Sequence, residues 1–169
     1  MGASMRRLAA VLLMFALTAC GGGADEAPEP QATPPPPKPA FTRATTALSC
    51  GATKVRIPAT IPGIDRAGSF ARLDSLQRPL RVRGLIWSDD DERVYVGVVC
   101  GVRTAEQFAT VVARSALTVY RGRPALHWTT RTGLRNFMWL ERPGTAVYVA
   151  ATPGLATEIR SIAADITTG

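Results

Sequence analysis

Histidine and lysine are nearly missing from this chain of 169 residues: His127 stands alone, and of 20 basic residues only Lys38 and Lys54 are lysine. One histidine with two distant cysteines cannot supply the ligand spacing of a zinc site, so no metal is expected. No nucleophile motif such as G-x-S-x-G accompanies His127, which argues against acyl-transfer chemistry. In Ala125-Leu126-His127-Trp128-Thr129, strand alternation puts Leu126 and Trp128 on one face and His127 on the other, the pattern of a surface or half-buried strand histidine. Beyond its first residues the chain also lacks any apolar run approaching the ~20 residues of a membrane-spanning helix. With no acid/base or nucleophile constellation it does not read as an enzyme, and no cofactor is expected.

Arginine carries nearly all of the positive charge, in a chain with a formal net charge of +7. Such dominance looks like the codon usage of a high-GC bacterium, an actinobacterium for example. From Arg56 to Arg160 the arginines are scattered singly, with no recognition helix and no aromatic RNA-binding signature, so nucleic acid is not an expected partner. Asp89-Asp90-Asp91-Glu92 is too contiguous for a calcium loop, which spaces its oxygens so that they converge on one ion. It reads as a solvated hairpin turn.

At the front, Arg6-Arg7 precede an apolar stretch over Leu8–Leu17 that is too short to span a bilayer. Thr18 and Ala19 then lead into Cys20, a secretory signal layout with cysteine at the first mature position. Leu17-Thr18-Ala19-Cys20 resembles the lipobox of bacterial lipoproteins. That resemblance implies cleavage before Cys20 and a diacylglycerol on its sulfur. It also implies a lipid-anchored address at the extracytoplasmic face of the cell membrane. A myristoylation signal beginning at Gly2 would need Ser or Thr where Arg6 stands. Removing residues 1–19 leaves 18 basic against 13 acidic residues, a net charge of +5. Residues 20–40 pass from three glycines to Pro34-Pro35-Pro36-Pro37-Lys38-Pro39. They read as a disordered tether, extended where proline dominates.

Residues 41–169 then form one domain. Its two cysteines, Cys50 and Cys100, are most simply a disulfide in an oxidising compartment, worth on the order of 4 kcal/mol by loop entropy. The pattern is strand-rich. Val55–Ile61 stops at Pro62-Gly63, and Leu80–Trp87 and Arg93–Cys100 flank the acidic turn. Leu117–Tyr120, Ala125–Thr130, Leu134–Glu141 and Thr145–Ala151 are joined by short Gly- or Pro-containing turns, which make neighbours antiparallel. Thr104-Ala105-Glu106-Gln107 is a capping box, followed by Phe108, Val111, Val112 and Ala116 on one helical face. Thr152-Pro153 opens a second helix with Leu155, Ile159, Ile162, Ala163 and Ile166 on one stripe. The expected fold is α+β, an antiparallel meander with both helices on one face. Ile86-Trp87 with Val94-Tyr95-Val96, and Met138-Trp139 with Val147-Tyr148-Val149, suggest two strand-strand-helix repeats.

From Leu117 onward, the order of turn, strand, Trp139-Leu140-Glu141, turn, Val147-Tyr148-Val149 and terminal helix is similar to a module in extracytoplasmic domains of bacterial anti-sigma regulators and lipoproteins, distantly akin to the lipoprotein-carrier fold. That similarity implies a sheet packed by helices. Trp87, Trp128, Trp139 and Tyr148 are the candidates for a ligand groove, against the alternative of ordinary core packing. The expected function is therefore non-catalytic binding of an envelope protein or another envelope component. The alternative is a lipid or lipoprotein carrier, which needs a closed apolar cavity between sheet and helices. Convergence of Asp65, Asp74 and Glu141 would instead point to a hydrolase.

Overall fold

Along Glu92–Cys100 both alternating sets of side chains are covered: Val94, Val96 and Val98 on one side, Gly97 and Val99 on the other, with Tyr95 half-buried. A strand buried on both faces belongs in the middle of a layered structure. The structure, a computed structural model, describes residues 44–169; the signal segment, Cys20 and the tether lie outside the described residues.

Ten strands occur in chain order: β1 (Thr45–Cys50), β2 (Thr53–Pro58), β3 (Asp65–Phe70), β4 (Arg81–Asp89), β5 (Glu92–Cys100), β6 (Ala116–Tyr120), β7 (Arg123–Thr129), β8 (Arg135–Arg142), β9 (Thr145–Ala151) and β10 (Thr167–Thr168). Helix α1 (Ala105–Ala109) lies between β5 and β6. After β9 a 3-10 helix (Pro153–Glu158) runs into α2 (Ile159–Asp165). Seven strands form one antiparallel sheet in the order β3-β4-β5-β9-β8-β7-β6, and β1-β2-β10 form a small second sheet. Cys50 at the end of β1 is bonded to Cys100 at the end of β5, with Cα atoms 5.4 Å apart, so the bridge joins the two sheets.

One face of the main sheet packs Trp87, Val96, Trp139 and Val149 against Val55 and Ile57 of β2 and Ile159, Ile162 and Ala163 of α2. The opposite face packs Leu126, Met138 and Tyr148 beneath Phe108 of α1, Val111, Val112 and the segment holding Leu73, Leu76 and Leu80. The fold is thus dominated by antiparallel sheet, and the two helices cover opposite faces. The expectation of both on one face is corrected here. Its cause lies after β5: Gly101 and Val102 turn the chain toward the second face, where Val102 is fully buried.

The first helix is also shorter than its apolar periodicity suggests. Thr104 caps it, its hydroxyl accepting from the Gln107 N–H at 3.2 Å, while the Gln107 side chain accepts from Arg103 N–H at 3.1 Å. Helix ends at Thr110, where the β-branched run Thr110-Val111-Val112 loses rotamer freedom in a helix. Val111 and Val112 still reach the core, as irregular chain bridged to Leu76. Strands β1, β3 and β10 were not anticipated from sequence.

The strand part of the repeat is realised in register. Trp87 stands opposite Val94, and Trp139 opposite Val147. Between β5 and β9, Val94 faces Ala151, Val96 faces Val149 and Val98 faces Val147. A local twofold through the Val96–Val149 pair therefore exchanges the two hairpins. The relation stops at the strand ends, since the helices that follow go to opposite faces.

Gly84 and Gly97 face each other across β4 and β5. A methyl built on Gly84 would overlap the Phe70 ring, and one on Gly97 would lie 2.7 Å from the Arg83 carbonyl oxygen. The absence of both side chains makes a notch in which Phe70 lies, edge-on to Tyr95 and Tyr148 at 5.9 and 6.0 Å.

Candidate functional site

Strand alternation decides where the four candidate groove residues go. Trp87 and Trp139, each 1% exposed, point into the core beneath α2 and β2. Tyr148, 2% exposed, and Trp128 point into the opposite core, their rings 6.1 Å apart. Four residues divided between two faces cannot line one groove, so that expectation is corrected: Trp87, Trp139 and Tyr148 are packing residues. Of the four, Trp128 also borders a cleft against β7 and β8, and Tyr148 a smaller one beside Phe70 and Leu73.

Their polar atoms are treated unequally. Trp139 Nε1 donates to Glu141 Oε2 at 2.9 Å, and Tyr148 donates its hydroxyl to Asn136 Oδ1 at 2.6 Å. Trp87 Nε1 and Trp128 Nε1 are buried with no partner among the described residues. Burial first, and then the electrostatic influence of neighbouring Tyr95, hold the Tyr148 phenol well above its ordinary range.

Glu141 owes its position to a bulge. The β8–β9 register shifts between Leu140 and Arg142, which leaves Glu141 outside the ladder. Its buried carboxylate accepts from Arg123 Nη1 at 2.6 Å and from Thr168 Oγ1 at 2.8 Å besides Trp139. Next to it, Arg121 donates to the carbonyls of Ile166 and Ala164 at 3.3 and 2.8 Å. These bonds fasten β10 and the end of α2 to the main sheet, a structural use of charge. Asp74 pairs with Arg72 at 2.7 Å in full exposure, and Asp65 opens edge strand β3, so the three carboxylates do not converge.

Two clefts flank the 3-10 helix and α2. One, of about 550 Å³, lies against β7 and β8; His127, Thr129, Arg135 and Phe137 supply its floor and Arg160 its wall. The other, of about 520 Å³, lies between α2 and the β2–β3 connection, with Ile61, Ile64, Leu155 and Ile162 among its lining and Glu158 and Asp165 at its rim. Sequence reading placed His127 on its own face, as found, but missed Arg135 and Arg160 as its neighbours. The signal was present in part: a short turn at Thr130–Leu134 sets Thr129 opposite Arg135 and His127 opposite Phe137.

The sheet's two edges also differ. Edge strand β3 carries charged, exposed Asp65 and Arg66 and a register shift between Arg66 and Gly68. Edge strand β6 exposes Leu117 and Val119, 62% and 69% accessible, the two large apolar residues left open among the described residues. Comparison with protein-family models, curated proteins and solved structures gives no match.

Proposed function

We propose that this chain is an exported lipoprotein, held at the extracytoplasmic face of the membrane through Cys20, whose folded domain is a non-catalytic docking module. Its ligand on this reading is an extended, acidic-flanked segment of a partner protein that adds to β6. The lipobox-like Leu17-Thr18-Ala19-Cys20 and the Cys50–Cys100 bridge support the address, since disulfides persist in oxidising compartments. The difference between the edges carries the docking argument. Sheets blunt unused edges with charge and bulges, as β3 does, whereas β6 offers an apolar strand edge suited to strand addition. Arg114 and Arg121 flank β6 and favour an acidic partner, whereas the charge of Arg123 is taken up by Glu141. They also disfavour a second copy, because antiparallel self-pairing about Thr118 would bring the arginines of both copies together.

A photo-crosslinking amino acid placed at Val119 of the full lipoprotein in membranes tests this. One defined protein captured from Val119, not captured from Ala67 on the β3 edge, and lost in Leu117→Lys supports the reading. No capture, or equal capture from both edges, overturns it. A second reading, lipid carriage, draws support from the apolar cleft beside Ile61 and Leu155. Against it, the space between main sheet and α2 is filled by Trp87, Trp139 and Phe137. Stoichiometric lipid released from the purified full chain, beyond its own anchor, would favour carriage.

A further inference from the structure

We propose that the cleft between the β7–β8 hairpin and α2 binds a phosphate-bearing anion. Its floor is set by the ladder: His127 faces Phe137 and Thr129 faces Arg135, all four on the side of the sheet that carries Trp139. Helix α2 buries this side as far as Ile159 and Ile162, and beyond them Arg160 leans over the exposed part of the floor. Its guanidinium lies 5.1 Å from the centroid of the Phe137 ring. Stacking of this kind uses the flat face of the guanidinium and leaves its N–H edge able to donate.

Charge in the cleft has one sign. Arg135, Arg160 and His127 line it together with the hydroxyls of Thr129 and Thr157, and no carboxylate of the described residues does. The ion pairs Arg72–Asp74 and Arg123–Glu141 lie elsewhere, and neither Arg135 nor Arg160 pairs with a carboxylate among the described residues. Such a lining has donors on two walls, one arginine on β8 and one on α2. A phosphate presents several acceptor oxygens in different directions and can meet both guanidiniums at once, whereas a planar carboxylate matches a single fork. A volume of about 550 Å³ exceeds what a lone ion fills and lies within the ordinary range of small-molecule sites, leaving room for the alcohol that the phosphate esterifies. Two sources share this chemistry, an anionic phospholipid headgroup and a soluble phosphate. The inference stands apart from the β6 edge and from the compartment in which the chain resides.

Because His127 is the single histidine, its imidazole gives one unambiguous set of NMR signals inside the cleft. The full chain in non-ionic detergent micelles is titrated at constant pH with inorganic phosphate and, separately, with phosphatidylglycerol doped into the micelles. The expected result is a saturable shift of the His127 signals with at least one probe. Apparent affinity should fall about tenfold or more in Arg135→Gln/Arg160→Gln, where two charge-assisted donors are lost, and in Thr157→Glu, where a like charge is introduced. All three altered side chains are exposed, and Thr157→Glu keeps both arginines, so a folding defect and a binding defect are separable. Saturation by phosphatidylglycerol alone identifies a lipid headgroup; saturation by inorganic phosphate identifies a soluble phosphate. No saturable shift with either probe, an undiminished response in the double variant, or tighter titration by a polyglutamate peptide overturns the proposal.

Discussion

Trp87 and Trp139 stand at matching places in two hairpins related by a local twofold, yet among the described residues only the Trp139 indole N–H has a partner. The same contrast runs through both halves. The facing pair Gly84–Gly97 in the first hairpin corresponds to the facing pair Asn136–Ala150 in the second. In the first half Phe70 fills the space that the glycines leave. In the second, Asn136 enters that space and binds Tyr148, the counterpart of half-buried Tyr95. Each half is also fastened to the small sheet by its own means. Cys100 makes a covalent bond to β1, while Glu141 hydrogen-bonds Thr168 of β10. One backbone register thus accepts an apolar filling or a polar network, and the choice sets which substitutions each half tolerates.

Truncating the two tryptophans should have the largest effect and would break the comparison if it did not. Trp87→Ala and Trp139→Ala should each destabilise the domain by about 3–5 kcal/mol, the range for a fully buried aromatic. Thermal and denaturant unfolding give the values directly. Near-wild-type stability for both would mean that the core assignment and the twofold are wrong.

A smaller substitution sharpens the contrast. Trp87→Phe removes an indole N–H that has no partner among the described residues, so only volume is lost. Trp139→Phe removes a donor from a buried carboxylate that already depends on it. The second variant should therefore be the less stable by about 1.5–3 kcal/mol, the usual range for a hydrogen bond to a charged group. Equal losses, or the reverse order, would show that the Trp139–Glu141 bond carries no weight.

Much of this sheet was legible in the chain because its strands are short, apolar and separated by strong turn signals. Val94-Tyr95-Val96 and Val147-Tyr148-Val149 marked the two central strands, and two cysteines in one domain marked the bridge. What escaped prediction depends on distant partners. Strand β3 contains Gly68 and alternates weakly, and it exists because β4 offers an edge. Strand β10 has two residues and no signal of its own; it is held by Glu141, Arg121 and β2. Periodicity showed that both helices are amphipathic but not which face each would cover, because that depends on the direction of the chain after Cys100 and Ala151. The candidate groove failed for a related reason. Aromatic residues in alternating strands announce burial, and they do not say whether a ligand or the chain itself does the burying.

Tyr148 and Tyr95 provide the smallest and most selective test. Tyr148→Phe deletes a bond to Asn136 inside the core and should cost about 1 kcal/mol at neutral pH, while Tyr95→Phe, half-exposed and with no such bond, should cost close to nothing. Alkaline pH tests Tyr148 further. Burial raises the Tyr148 phenol above its ordinary value of 10.0, so the folded state holds this proton more tightly than the unfolded chain does. The stability linked to that proton is complete below pH 10 and is lost as pH rises toward the folded-state value, because only the unfolded chain releases it readily. Phenylalanine has no proton to lose. The gap between wild type and Tyr148→Phe should therefore narrow from neutral pH to pH 11 and can change sign. A gap that is the same at both pH values in urea unfolding would mean that Tyr148 is hydrated in solution, and the polar filling of the second half would then be a contact without energetic consequence.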